Sequence, residues 1–163
     1  MWRLRDFTKL RERSGVERQL LVAAILWLGV ARAAILTIPF RWTTRLFALS
    51  PAGVDAATGQ PSPELREVAR HISWALSTAA ARTPWHSTCL VQALAGAVIL
   101  RCRRMPATIA MGVARSSVEQ GSLEAHAWLS CHGIILTGEP GHEKYHVVAR
   151  YGLGRTSMPP RPA

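Results

Sequence analysis

The sequence predicts an α+β domain in which helices pack on a small antiparallel sheet, with an N-terminal apolar helical appendage. Two observations indicate this fold class. Up to about residue 103 the apolar side chains recur at helical spacing, and from residue 107 onward short runs typical of strands follow. Helices and strands do not alternate, so a parallel βαβ fold is not expected. The 163 residues, 48% of them apolar, suffice for one domain.

The N-terminal appendage, residues 1–49, contains the most apolar helix of the chain. This helix spans 17–37 and ends before Pro39, and a short amphipathic helix follows at 41–49. A membrane-spanning helix is disfavoured because Arg32 interrupts the apolar run, and a signal peptide because the preceding region is long and contains acidic residues. We therefore expect a cytoplasmic protein whose helix is covered by its own domain or by a partner, with membrane contact possible but not favoured.

The rest of the chain is expected to consist of a linker, a core domain and a tail. Residues 50–63 contain three prolines and two glycines and form the linker. The core, 64–151, begins with one helix from Glu64 to about Arg82 and a second from Ser87 or Thr88 to about Arg103. Residues 152–163 are expected to be a disordered tail. Four strands are predicted within the core, at 107–113, 125–131, 134–137 and 145–151.

Charge and cysteine content narrow the function classes. The net charge is +10, but nine basic and three acidic residues in the first 50 positions account for +6 of it. No basic stripe with interleaved aromatic residues is present, so nucleic acid is not an expected partner. Three cysteines cannot form a closed disulfide framework, and without a Cys-x-x-Cys pair they do not suggest zinc or thioredoxin chemistry, so a reducing compartment is favoured. No cofactor or metal is expected.

Cys89 and His126 are the residues whose positions suit catalysis. Cys89 lies in the first turn of its predicted helix, where free amide N–H groups and the helix dipole stabilise a thiolate and can bind an oxyanion. His126 lies on a predicted strand, with Trp128 and Ser130 on the same face. An imidazole that faces the start of the Cys89 helix could act as base to the thiol and acid to the leaving amine.

Several segments together resemble the transglutaminase-like leader peptidases of lasso-peptide biosynthesis. The resemblance covers roughly residues 17–138. It rests on Ile-Pro-Phe-Arg-Trp at 38–42, Cys-Leu-Val-Gln-Ala-Leu-Ala at 89–95, Met-Pro-Ala at 105–107, Met-Gly-Val at 111–113 and Ala-His-Ala-Trp-Leu at 125–129.

The resemblance implies a transglutaminase-like (papain-like) cysteine protease that removes the leader from a ribosomally made lasso-peptide precursor. The implied partners are the precursor, a small leader-recognition protein and an ATP-dependent cyclase that closes the macrolactam. Cys89 matches the family's nucleophile and His126 its base. The family tends to have an aspartate about a dozen residues after the histidine, where this chain has Gly138 followed by Glu139. Glu139 orients the imidazole, or the third member is missing, or a backbone carbonyl replaces it.

A second departure from the family pattern is Arg104, where a glycine usually ends the helix. A left-handed cap formed by arginine costs about 1 kcal/mol relative to glycine.

Two alternatives to a cysteine protease stay open. The residues His142-Glu143-Lys144-Tyr145-His146 match the short pattern of zinc proteases, which requires a helix to bring both histidines to the metal. The second alternative is a non-enzymatic interaction module that docks through its apolar N-terminal helix. In each case Cys102 and Cys131 are expected to be buried, inert thiols and Trp74, Trp85 and Trp128 core aromatics.

Overall fold

The computed structural model describes residues 14–52, 61–115 and 122–153. They form an α+β fold, as predicted. The helices are α1 (Gly15–Thr37), α2 (Phe40–Leu46), α3 (Pro63–Ala80) and α4 (Cys89–Cys102). The strands are β1 (Ser50–Pro51), β2 (Ala107–Arg115), β3 (Leu123–Cys131), β4 (Ile134–Thr137) and β5 (His146–Leu153), with a short 3-10 helix at His142–Lys144.

The five strands form one antiparallel sheet in the order β1-β5-β2-β3-β4. The central pair is β2 and β3, in which Gly112 lies opposite His126. A bulge between Met111 and Gly112 shifts the register of β2 against β5. The tight turn at His132 and Gly133, both with positive φ, connects β3 to β4 as the sequence predicts.

Side-chain caps fix the starts of two helices. Ser14 and Glu17 form a capping box at the start of α1, in which each side chain bonds the backbone N–H of the other residue. At α3 the Ser62 hydroxyl accepts from the N–H of Leu65, and Pro63 is the first helical residue. At the end of α4, Arg104 has φ +57, which is the left-handed conformation predicted from its position.

Helix α1 is amphipathic in its packing although it is apolar nearly all round. Its inner face is buried in the same cluster as the apolar side chains of α3, α4 and the sheet, so α1 contributes to this core. Its outer face is exposed. The buried residues of α1 are Leu20, Leu21, Ala24, Leu28, Ala31 and Ala34.

Gly96 allows α4 to lie close to the sheet. A Cβ atom at this position would be 2.5 Å from Cδ2 of Leu129 on β3 and 2.8 Å from Cδ1 of Leu76 on α3. A larger residue would push α4 away from both elements. The glycine therefore fixes the depth at which the helix that begins with Cys89 packs on the strand that carries His126.

Several segment boundaries differ from those expected. Ser50 and Pro51, which were expected to belong to the linker, pair with β5. Strand β5 continues past the expected end of the core to Leu153, which is buried. Backbone pairing across the sheet, which a single-sequence pattern does not encode, determines both extensions. Most of the expected linker (53–60), most of the expected tail (154–163) and residues 1–13 lie outside the described residues, and the division into domains stays a prediction.

Candidate active site

Cys89 is the first residue of α4, as the sequence predicts. Thr88 precedes it as the N-cap residue, and its side chain makes no capping hydrogen bond. The first intrahelical bond runs from the N–H of Gln92 to the carbonyl of Thr88. The backbone amides before Gln92 therefore have no acceptor within the helix, and the half-buried Cys89 thiol lies at its positive end.

A cavity of about 520 Å³ lies between the end of α3 and the start of α4, beside the turn that carries Cys89. The Gln92 amide donates to the carbonyl of Ser87 at 2.9 Å and fixes the cavity wall next to Cys89. Trp85 packs against α1, because a Cβ atom on Gly29 would be 3.5 Å from its Cζ2. The cavity is lined by Ser77, Ala80, Ala81, Thr83, Pro84, Trp85, His86, Ser87 and Gln92.

The imidazole of His126 is oriented by a backbone carbonyl. Its Nε2 lies 2.9 Å from the oxygen of Gly138, the residue that follows β4. A carbonyl oxygen can only accept, so Nε2 carries the proton and donates it. In the neutral ring this leaves Nδ1 as the proton acceptor, which is the state that a general base needs.

Two aromatic rings lie next to this imidazole. The ring of Tyr145 stacks on that of His126, with centroids 4.9 Å apart and an interplanar angle of 28°. The Trp128 ring lies 6.1 Å away at 27°. Gly112, opposite His126, leaves room for them, since a Cβ atom there would be 2.8 Å from Cβ of Tyr145 and 3.2 Å from Trp128.

A hydrogen bond from the Tyr145 hydroxyl to Glu124 helps to fix the position of the Tyr145 ring. Its Oε2 accepts from the Tyr145 hydroxyl at 3.3 Å and from Nζ of Lys144 at 3.2 Å. The hydrogen bond to Glu124 is the main reason that the pKa of Lys144 is raised above its ordinary value, with a smaller contribution from Tyr145. The sequence pattern gave no signal for Tyr145 or Glu124, because their roles depend on pairing between distant strands.

Of the groups considered for the third site residue, the backbone carbonyl of Gly138 is the one that contacts the His126 ring. Glu139 is exposed, and its own carbonyl accepts from Nδ1 of His142 at 2.7 Å. Its carboxylate makes no hydrogen bond with His126. The catalytic role predicted for Glu139 is therefore not supported by a contact, while the roles of Cys89 and His126 stay predictions.

Cys89 and His126 are not hydrogen-bonded to each other within the part of the chain that the structure describes. Leu129 faces α4 at Gly96, whereas strand alternation places His126 with Trp128 on the other face of β3. The imidazole contacts Gly138, Tyr145 and Trp128. The expectation that His126 faces the start of the Cys89 helix is therefore not confirmed by a contact.

The zinc-protease alternative lacks the helix that it requires. Residues His142–Lys144 form a single 3-10 turn, Tyr145 is extended and His146 begins β5, so the two histidines are not on one helix face. Within residues 14–52, 61–115 and 122–153, no group of three or more His, Cys, Asp or Glu side chains could hold a metal ion.

The remaining thiols and tryptophans lie partly where the sequence predicts. Cys131 is buried as predicted. Cys102 is exposed together with its neighbours at 101–104, where α4 ends, so the prediction for Cys102 is wrong. Trp128 is buried and Trp74 packs against the core, while Trp85 is half-buried in the cavity wall.

By length and composition α1 could cross a membrane, and about a third of its apolar stretch is buried in the protein. A core helix of a soluble domain has the same properties, so this feature alone is weak evidence for a membrane segment.

A profile of the transglutaminase-like superfamily matches residues 34–150, which include the start of α4, all of β3 and Gly138. Proteins with this fold are commonly cysteine peptidases or transglutaminases. No curated protein and no solved structure matches the chain. The match covers well over half of the chain and agrees with the observed helices and antiparallel sheet, and the protein therefore belongs to the transglutaminase-like superfamily.

Proposed function

We propose that this protein is a cysteine peptidase that removes the leader from a lasso-peptide precursor. The observation that carries the proposal is the orientation of His126, whose Nε2 is bound to Gly138 and whose Nδ1 is free to accept a proton. Cys89 supplies the nucleophilic thiol, and it lies at the start of α4, where the helix terminus stabilises negative charge. The motifs shared with the lasso leader peptidases support the choice of substrate.

The proposed reaction proceeds by two acyl transfers. Nδ1 of His126 accepts the proton of the Cys89 thiol, and the sulfur attacks the scissile carbonyl carbon, with the oxyanion held by backbone amides at the start of α4. The C–N bond then breaks, and the leaving amine takes the proton from Nδ1. Water attacks the thioester, which releases the leader as a carboxylic acid and restores the thiol. This sequence requires Cys89 and His126 to approach each other when precursor binds.

The proposed partners follow from the chemistry of the pathway. A small leader-recognition protein presents the precursor, and an ATP-dependent cyclase uses the amino terminus that cleavage releases to close the macrolactam. The cavity beside Cys89 has room for a side chain of an extended peptide and is lined mainly by small and hydroxyl-bearing residues. We propose that it accommodates a residue next to the scissile bond.

Mass spectrometry of a candidate precursor incubated with this protein and the leader-recognition protein tests the proposal. We expect two fragments whose masses sum to the precursor plus one water. Cys89→Ala should abolish cleavage and retain precursor binding, and His126→Ala should lower turnover roughly 100-fold or more. Cys102→Ala is the matched control, since this exposed thiol lies at the far end of the same helix.

Other results would contradict the proposal. Cleavage that survives Cys89→Ala would exclude this thiol as the nucleophile. If a chelator abolishes the activity and a thiol alkylator does not, the zinc-protease alternative would be supported instead. Precursor or partner binding without any cleavage, unchanged by Cys89→Ala, would indicate the interaction module.

A further inference from the structure

The exposed apolar side chains of this protein are concentrated on its first two helices. Ten large apolar residues are exposed in the described part of the chain, and eight of them lie on α1 and α2. Val22 and Leu26 are 66% and 59% exposed, and with Val30 they are spaced four residues apart. Together with the exposed Ala33 they line one face of α1, here named the outer stripe.

Along the chain, arginines precede and follow the outer stripe. Arg18 lies at the start of α1, and the exposed Arg41 and Arg45 follow its end. Arg45 stacks over the exposed ring of Trp42, with its guanidinium carbon 4.8 Å from the ring centroid. Glu17 is the single acidic residue between positions 14 and 49. The segment that carries the outer stripe is therefore apolar in its middle and positively charged toward both ends.

Helix α1 cannot leave the domain without exposing its inner face. Leu28 is fully buried and Leu20 is 2% exposed, both in the cluster shared with α3, α4 and the sheet. A helix that crossed a bilayer would have to give up these contacts and leave the apolar faces of α3, α4 and the sheet exposed to water. The outer stripe can enter an apolar phase only if α1 lies flat and stays packed on the domain.

We propose that the outer stripe, with Trp42, Arg41 and Arg45 at its end, binds the surface of an anionic membrane. The stripe is aliphatic and about 17 Å long from Val22 to Ala33, at 1.5 Å rise per residue. Valine and leucine are under-represented among the residues that dominate protein interfaces, whereas aliphatic faces flanked by tryptophan and arginine are typical of helices at the lipid headgroup boundary. Arginine at both ends matches acidic headgroups.

Membrane binding in this orientation would place the cavity beside Cys89 near the lipid surface. Gly29 lies on α1 beside the outer stripe, and the indole of Trp85 packs on it. Trp85 is also part of the cavity wall next to Cys89. The loop before the catalytic helix therefore borders the proposed membrane-facing side.

Co-sedimentation of the full chain with lipid vesicles tests this inference. We expect binding to phosphatidylcholine vesicles that contain about one third phosphatidylglycerol, and weaker binding to pure phosphatidylcholine or in high salt. Val22→Gln with Leu26→Gln should weaken binding more than about tenfold. Arg41→Gln with Arg45→Gln should weaken it roughly 30-fold on anionic vesicles.

Matched controls come from the same chain. Leu123→Gln with Val148→Gln removes the two other exposed large apolar residues, and Arg101→Gln with Arg103→Gln removes two exposed charges elsewhere. Both control pairs should bind vesicles as the unaltered protein does. All altered positions are exposed, and thermal unfolding verifies that each variant is folded.

Three outcomes would overturn the inference: no binding to anionic vesicles, equal binding to neutral and anionic vesicles, or an equal loss in the control pairs. A dimer in light scattering that Val22→Gln with Leu26→Gln dissociates, without any vesicle binding, would assign the stripe to a second copy of the chain. Vesicle binding requires no turnover, so its failure leaves the proposed peptidase activity untouched.

Discussion

Nε2 of His126 donates a 2.9 Å hydrogen bond to the backbone carbonyl of Gly138. The lasso leader peptidases that this chain resembles tend to have an aspartate at this position. A carboxylate would carry a full charge opposite the imidazolium, whereas a carbonyl offers only a dipole. The contact therefore orients the ring and selects its tautomer.

Gly138→Ala should destabilise the protein and reduce turnover. Gly138 has φ +76, and a Cβ atom there would lie 2.6 Å from the carbonyl oxygen of Ala127 and 3.1 Å from Nε2 of His126. We expect a loss of about 2–4 kcal/mol in the free energy of unfolding, measured with denaturant, from backbone strain plus overpacking. Gly133→Ala is the control, because Gly133 has φ +77 with nothing within 4 Å and should lose only about 1–2 kcal/mol. Equal losses in both variants would contradict the crowding at Gly138.

Glu139→Gln should leave turnover nearly unchanged. The side chain is exposed, and the contact of this residue with the neighbouring loop is made by its backbone carbonyl, which the substitution retains. We expect precursor cleavage to stay within about twofold of the unaltered protein, as for other surface substitutions. A large fall in kcat with unchanged precursor binding would show instead that the carboxylate orients His126 during catalysis.

Tyr145→Leu should impair the orientation of His126 more than Tyr145→Phe. Phenylalanine keeps the ring that stacks at 4.9 Å and loses only the hydroxyl bond to Glu124, whereas leucine removes the stack. We expect kcat to fall about 10- to 100-fold in the leucine variant, with a changed pH profile, and the phenylalanine variant to recover most of it. Tyr151→Leu, which removes a ring packed on Phe40, is the control. If leucine and phenylalanine have equal effects, the stacking is not what positions the imidazole.

The ion pair between Lys144 and Glu124 should contribute a pH-dependent stability. Its hydrogen bond raises the pKa of Lys144 above the ordinary value of 10.5. Because the folded-state pKa is the higher one, the contribution is complete below pH 10.5 and is lost as pH rises through the folded value. Lys144→Met should therefore lower the midpoint temperature of thermal unfolding by a constant amount between about pH 6 and pH 9 at low salt. At more alkaline pH the difference between the two proteins should vanish. A difference that disappears near neutral pH would contradict this assignment.

Local patterns sufficed to predict most elements of the fold. The spacing of apolar residues and the helix-ending signals near Pro39 and Thr83 predicted the ends of the long helices to within about two residues. The turn at His132 predicted the β3–β4 hairpin. The strand Ser50–Pro51 was missed because two residues carry no periodicity. Its existence depends on the backbone of β5, a hundred residues further along the chain.

The sequence by itself determined the fold class and the two candidate catalytic residues, because a helix start at Cys89 and an alternating strand at His126 are local properties. Only the tertiary structure decided which group contacts His126. That choice depends on the approach of the Gly138 carbonyl and the Tyr145 ring, and both arise from pairing between strands distant in sequence. Tertiary packing also decided which face of α1 is buried, since a helix that is apolar nearly all round has no periodic signal to mark its inner side.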